Sequence, residues 1–210
     1  MKQSPSALLM IASGCQHCPV VLQAMAELVK AGTIGQLEVV NIQQNPERAK
    51  ALNVRSVPWV KIGDFELVGL RTQGELKQWA ERVNDPAVMG EYFEELMTSG
   101  EINKVQQTIE NNPGYFSALL ELMAGAETSL SARIGVGALM EEFAGSELLK
   151  NNIDALGEYT RHDNARVRND ACHYLGLSAD RAAEKYIRPL LEDPDAEVRE
   201  VAEEALETIE

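Results

Sequence analysis

An α/β unit followed by an all-α unit is the fold class this 210-residue sequence predicts. Three observations carry it. Short apolar runs alternate with helix-spaced segments as far as about residue 84. Beyond that point strand signals vanish and apolar residues recur at helical spacing alone. Charge changes there too: residues 1–84 hold 9 basic and 7 acidic side chains, and residues 85–210 hold 10 basic and 26 acidic ones, within a net charge of −14. Two units of different character follow, 1–84 and 85–210.

In the first unit, Ala7-Leu8-Leu9-Met10-Ile11-Ala12 predicts a short buried strand, broken by Ser13-Gly14. Val20, Val21, Ala24, Leu28 and Val29 then recur at helical spacing, and Gly32-Thr33-Ile34-Gly35 turns the chain. Leu37–Ile42 is a second strand, whose largely apolar run points to a buried sheet position. Asn45-Pro46 opens a short helix to about Leu52, with proline at its first helical position. Pro58–Ile62 and Phe65–Val68 are strands joined by Gly63-Asp64, so they form a hairpin. Thr72 as N-cap and Glu75 three residues on make a capping box for a helix through about Val83. The order is βαβαββα: a right-handed crossover sets the first two strands parallel, and the hairpin adds antiparallel ones.

The chemistry-bearing motif is Cys15-Gln16-His17-Cys18, at the junction of the first strand and helix. A spacing of three places both cysteines on the same side of a first helical turn. Backbone N–H groups at a helix start lack internal partners, and the dipole is positive there. A thiolate at Cys15 gains from both, while Cys18 lies deeper. Cys15 is therefore the expected nucleophile and Cys18 the resolving thiol of a thiol–disulfide exchange. His17 can donate a hydrogen bond to the Cys15 thiolate or place positive charge near it. The competing readings are a buried pair without turnover, a solvent-facing His17, and zinc. Zinc wants four ligands, and this stretch supplies at most three, so no metal is expected. Pro19 cannot donate to the turn before it, which leaves a carbonyl near Cys15 unpaired.

This element order, the Cys15–Cys18 pair and the Val57-Pro58 step together resemble the thioredoxin/glutaredoxin superfamily. Cys15-Gln16-His17-Cys18-Pro19 with Arg55-Ser56-Val57-Pro58 looks closest to the small thioredoxin-like domain of alkyl hydroperoxide reductase flavoproteins. The resemblance implies that Pro58 is cis and lies against the dithiol. It also implies that Val57 offers its backbone to an extended substrate strand and that Gly69 lines the same groove. It implies no cofactor beyond the Cys15–Cys18 disulfide itself. Two departures stand out: Gly14 occupies the place of the usual tryptophan, and the first strand lacks the usual buried acid. Trp59 and Trp79 are expected in the core rather than at the site. With His17 beside the pair, the expected potential lies between about −270 mV for thioredoxin and about −120 mV for the strongest periplasmic oxidant.

In the second unit Asp85 caps and Pro86 opens the first helix. Apolar stripes follow at Tyr92, Phe93, Leu96 and Met97, at Ile102, Val105 and Ile109, and at Phe116, Leu119, Leu120 and Met123. Asn112-Pro113 and Asp193-Pro194 are further cap-plus-proline starts. Val167-Arg168, Ala171 and Leu175 match Val198-Arg199, Ala202 and Leu206, and Ala132-Arg133, Val136 and Met140 fit more loosely. Helix pairs with this V-R-x-x-A-x-x-x-L second helix resemble HEAT-type repeats. Their arginines are expected to brace neighbouring repeats. Cys172 aligns with Glu203, which predicts partial exposure; it is kept out of the site, as are His162 and His173.

The acidic balance argues against nucleic acid as a partner. No apolar segment is long enough for a signal peptide or a membrane span, so the cytoplasm is the expected compartment. The preferred function is a thiol–disulfide oxidoreductase acting on protein disulfides, its helical unit holding a client or partner. The alternatives are a redox-switched interaction protein without turnover, and an electron relay to a reductase or peroxidase. The oligomeric state is not written in the sequence.

Overall fold

A computed structural model describes residues 4–83, 85 and 87–209. The chain divides into two compact units between Val88 and Met89. Asp85 accepts a hydrogen bond from the Ala87 N–H at 3.1 Å, close to the expected joint; Asn84 and Pro86 lie outside the described residues.

The first unit runs β1 (Ser6–Ile11), α1 (Cys18–Lys30), β2 (Gln36–Asn41), α2 (Pro46–Ala51), β3 (Trp59–Ile62), β4 (Phe65–Val68) and α3 (Gln73–Glu81). Its strands form one sheet in the order β2-β1-β3-β4. The crossover through α1 sets β1 parallel to β2, with Leu9 opposite Val39, and the hairpin joins antiparallel, with Leu9 opposite Val60. Sequence therefore gives the right order and pairing sense.

It misplaces one strand. β2 is an edge strand rather than a buried one, with Val39 42% exposed. The hairpin takes the other flank of β1, so β1 and β3 form the centre and β2 has a neighbour on one side only. Alternation along the strands sorts the side chains between two faces. Met10, Val40 and Trp59 pack with Ala49 of α2 on one face. Ala7, Leu9, Val60, Ile62, Phe65 and Leu67 are buried on the other, where the Phe65 ring meets Trp79 of α3 at 4.9 Å. Trp59 is thus in the core as expected, whereas Trp79 is half-buried against its edge. The Thr72–Glu75 capping box is formed, and Thr72 hydrogen bonds hold the Glu75 carboxyl below the usual carboxylate range.

The apolar stripe of α1 also shifts. Its buried side is Cys18, Val21, Ala24, Met25 and Leu28, whereas Val20 is 55% exposed. Val21, Ala24, Met25 and Leu28 are spaced i, i+3, i+4, i+7, and Val20 falls outside that face.

The second unit is helical: α4 (Val88–Thr98), α5 (Ile102–Asn111), α6 (Phe116–Ala124), α7 (Leu130–Glu142), α8 (Glu147–Lys150), α9 (Ile153–Tyr159), α10 (Ala165–Leu177), α11 (Glu184–Ile187) and α12 (Ala196–Ile209). Most of the expected stripes are its core, since Tyr92, Phe93, Val105, Ile109, Phe116, Leu119, Val136, Val167, Ala171, Val198 and Ala202 are all buried, whereas Ile102 and Leu206 are half-buried. Asn112 makes no side-chain cap; Pro113 opens a single 3-10 turn before α6. The cap of α12 is Asp195 rather than Asp193, with the Glu197 N–H donating to Asp195 Oδ1 at 2.9 Å.

Asp193 instead joins the two matching repeats. Arg168 of α10 donates to both its carboxylate oxygens at 2.8 Å, and to the carbonyls of His162 and Asp163. Arg199 of α12 donates to the carbonyls of Asp193 and Pro194. Each arginine thus ties its helix to carbonyls six and five residues upstream, and the Arg168–Asp193 pair adds the link between repeats. This bracing is the role their recurrence predicts.

Arg168 beside Asp193 holds the Asp193 carboxyl below its usual range. The stabilisation it brings is present above the carboxylate's unfolded pKa of about 3.9 and fades as pH falls through the lower folded value. Asp193→Asn should lower unfolding free energy by about 2–3 kcal/mol at pH 7. In urea titrations the difference from wild type should shrink as the pH is taken below about 4.

Candidate functional site

The strand-to-helix loop that carries the dithiol is fixed at both ends. The Ser13 N–H donates to Gln43 Oε1, and Asn41 Nδ2 donates to Ser13 Oγ, both at 3.2 Å, which pins the end of β1 to the segment after β2. Gly14 turns the chain at φ +81°, a conformation that favours glycine over a bulky residue. The Cys15 N–H then donates to the Ala12 carbonyl at 3.3 Å.

The helix begins later than the spacing implies. Cys18 is the first residue of α1 and His17 its N-cap, so Cys15 precedes the helix instead of lying in its first turn. Cys15 and Cys18 are joined as a disulfide, with Cα atoms 5.5 Å apart. The Cys18 N–H, one of the donors left free at a helix start, points at Cys15 Sγ from 3.1 Å. Pro19 sits at the second helical position, where an N–H has no intrahelical carbonyl to reach. No bond within the helix is therefore lost to the proline.

The two sulfurs differ in access. Cys18 is 4% exposed, whereas Cys15 is half-buried. Val57 reaches the pair through its backbone: its carbonyl oxygen lies 3.8 Å from Cys15 Sγ. The Val57–Pro58 bond is cis, and Pro58 is buried at the entry to β3. Gly69, at φ +85°, donates its N–H to the Pro58 carbonyl at 2.9 Å. Five of the six expected positions, Cys15, Cys18, Val57, Pro58 and Gly69, are thereby linked in one constellation. The sixth, His17, is exposed at the helix start and makes no capping hydrogen bond with its ring.

Two exposed apolar side chains near these positions in sequence were not among the expected site residues. Val20 of α1 and Leu70, next to Gly69, are 55% and 53% exposed. The signal for Val20 was its place off the buried i, i+3, i+4, i+7 line. Among the described residues no cluster of three or more His, Cys, Asp or Glu is arranged to hold a metal ion, and no helix is long and apolar enough to cross a membrane.

The third cysteine departs from expectation. Cys172 is fully buried, because α10 packs against α9, α12 and α7. The aligned Glu203, on α12, is exposed. Burial pushes the Cys172 thiol up to about 12, with Asp193 adding to the rise. His162 accepts the Asn164 N–H through Nδ1, and His173 Nε2 lies 2.9 Å from Glu141 Oε1. Both are polar contacts within the second unit.

Comparison with protein families finds a thioredoxin domain over residues 8–81 and HEAT repeats over residues 116–209. Comparison with curated proteins gives no match.

After reduction under native conditions, iodoacetamide at neutral pH should leave Cys172 unlabelled while Cys15 reacts. Peptide mass spectrometry should find Cys172 labelled only once the protein is unfolded.

Proposed function

From a thioredoxin domain joined to HEAT repeats, we propose that this protein is a thiol–disulfide oxidoreductase for protein disulfides. Its helical unit holds the client or partner. The observation that carries the reading is the Cys18 N–H aimed at the half-buried Cys15 sulfur from 3.1 Å, with the Cys18 sulfur enclosed behind it. That donor favours negative charge on Cys15 and so favours its thiolate.

In the reduced protein the Cys15 thiolate attacks one sulfur of a client disulfide. A mixed disulfide forms and the other client sulfur leaves as a thiolate. Cys18, once deprotonated, attacks Cys15 Sγ and expels the second client thiolate. The client gains two electrons, and the Cys15–Cys18 disulfide is left to be reduced by a dithiol donor. Run backwards, the same steps oxidise a client. His17, when protonated, adds positive charge near the Cys15 thiolate. The Val57 backbone pairs with an extended client strand beside cis-Pro58 and Gly69, while Val20 and Leu70 offer apolar surface next to it. In the reducing direction a reductase dithiol supplies the electrons, and in a relay a peroxidase disulfide accepts them.

Insulin reduction driven by dithiothreitol tests the reading. Cys15→Ser should reduce the catalysed rate to background, a fall of at least about 100-fold. Cys18→Ser should still form the mixed disulfide and accumulate it as a covalent adduct on non-reducing gels. Equal rates for wild type and Cys15→Ser would leave the redox-switched interaction protein as the better account.

A further inference from the structure

Leu130 and Ile134 of α7 are the most exposed large apolar side chains among the described residues, at 72% and 65%. Four residues apart, they stand on the same side of the helix, and exposed Ala138 continues the line one turn on. The other side of α7 buries Ala132, Gly135, Val136, Leu139 and Met140. α7 is thus apolar on both sides, unlike an ordinary surface helix with one apolar stripe.

Charge identifies what fits the outer side. Exposed Glu127 precedes the stripe, and exposed Glu141 and Glu142 close it. Glu141 also lies against the His173 ring. The one cation of α7, Arg133, directs its guanidinium to the carbonyls of Gly125 and Ala126. A second copy of the chain would bring another unit with 26 acidic and 10 basic residues over 85–210, and would be repelled.

We propose that the Leu130–Ile134–Ala138 face of α7 docks a basic amphipathic helix of a protein partner. This rests on the reading that the helical unit holds a protein, and it names the surface and the partner's chemistry. Leu130 to Ala138 spans about 12 Å at 1.5 Å per residue. The partner helix presents apolar side chains at i, i+4 and i+7 over that length. Lysine or arginine beyond each end meets Glu127 on one side and Glu141 and Glu142 on the other.

Fluorescence anisotropy with the full chain tests this, using a labelled peptide with leucines along one helical face and lysines elsewhere. A second peptide of the same composition, its leucines scattered around the helix, is the comparison. The one-faced peptide should bind about tenfold more tightly than the scattered one. The Leu130→Ser/Ile134→Ser double variant should lose about tenfold for it. Glu127→Gln/Glu142→Gln should weaken binding and flatten its salt dependence. The double variant should keep its thermal melt and its reduction of a small disulfide, so a failure of docking is separable from a failure of the dithiol chemistry. Equal binding of the two peptides, or undiminished binding by the double variant, overturns the proposal. So does self-association in sedimentation that the same variant removes, which would assign the face to a second copy.

Discussion

A single amide–sulfur contact organises the first unit. The Cys18 N–H is a donor that every helix must leave without an internal partner, and here it meets Cys15 Sγ at 3.1 Å. Several local features aim it. Gly14 takes a positive φ so that the chain doubles back after β1, and the Cys15 N–H closes on the Ala12 carbonyl. Pro19 fills the next position of α1 without a donor of its own. Cys15 therefore has a polar donor on one side and solvent on another, while Cys18 belongs to the buried face of α1. The exchange we propose uses that inequality between two sulfurs of the same motif.

The second half of the unit supplies the other wall. β3 is central, so Pro58 at its start is held by core residues on either side, from Trp59 and Val60 onward. That holds the Val57 carbonyl beside Cys15 across 42 residues of sequence. The hydrogen bond from Gly69 to Pro58 carries the same constraint to the end of β4. Burial of the sheet centre thus becomes precision at the dithiol, because the wall that faces it is the edge of the packed core.

The helical unit obeys a different rule. Its helices gain their core from neighbours, and arginines stitch the turns between them. Arg168 and Arg199 use the same geometry one repeat apart, and Asp193 accepts from Arg168 with its carboxylate and from Arg199 with its carbonyl. Cys172 is closed in by the same packing, which raises its pKa and separates its behaviour from that of Cys15. An acidic surface then remains outside, interrupted on α7 by the exposed pair Leu130 and Ile134.

Sequence alone determined whatever depends on neighbours along the chain. The βαβαββα order, the Gly63-Asp64 hairpin, the Thr72–Glu75 box, the Cys15–Cys18 motif and the recurring Val-Arg helices are all local signals, set by dihedral preference, capping and periodicity. The placement of Val57, Pro58 and Gly69 near the dithiol was legible only through the family resemblance, since nothing local ties residue 57 to residue 15. Tertiary structure decided the rest. Whether β2 is central or at the edge depends on which flank of β1 the hairpin takes, and burial of Cys172 depends on helices from both before and after it in the chain. Exposure of Val20, Leu130 and Ile134 depends likewise on which helix faces find partners. An apolar residue records a tendency to leave water, and only the packed chain determines whether a neighbour is there to cover it.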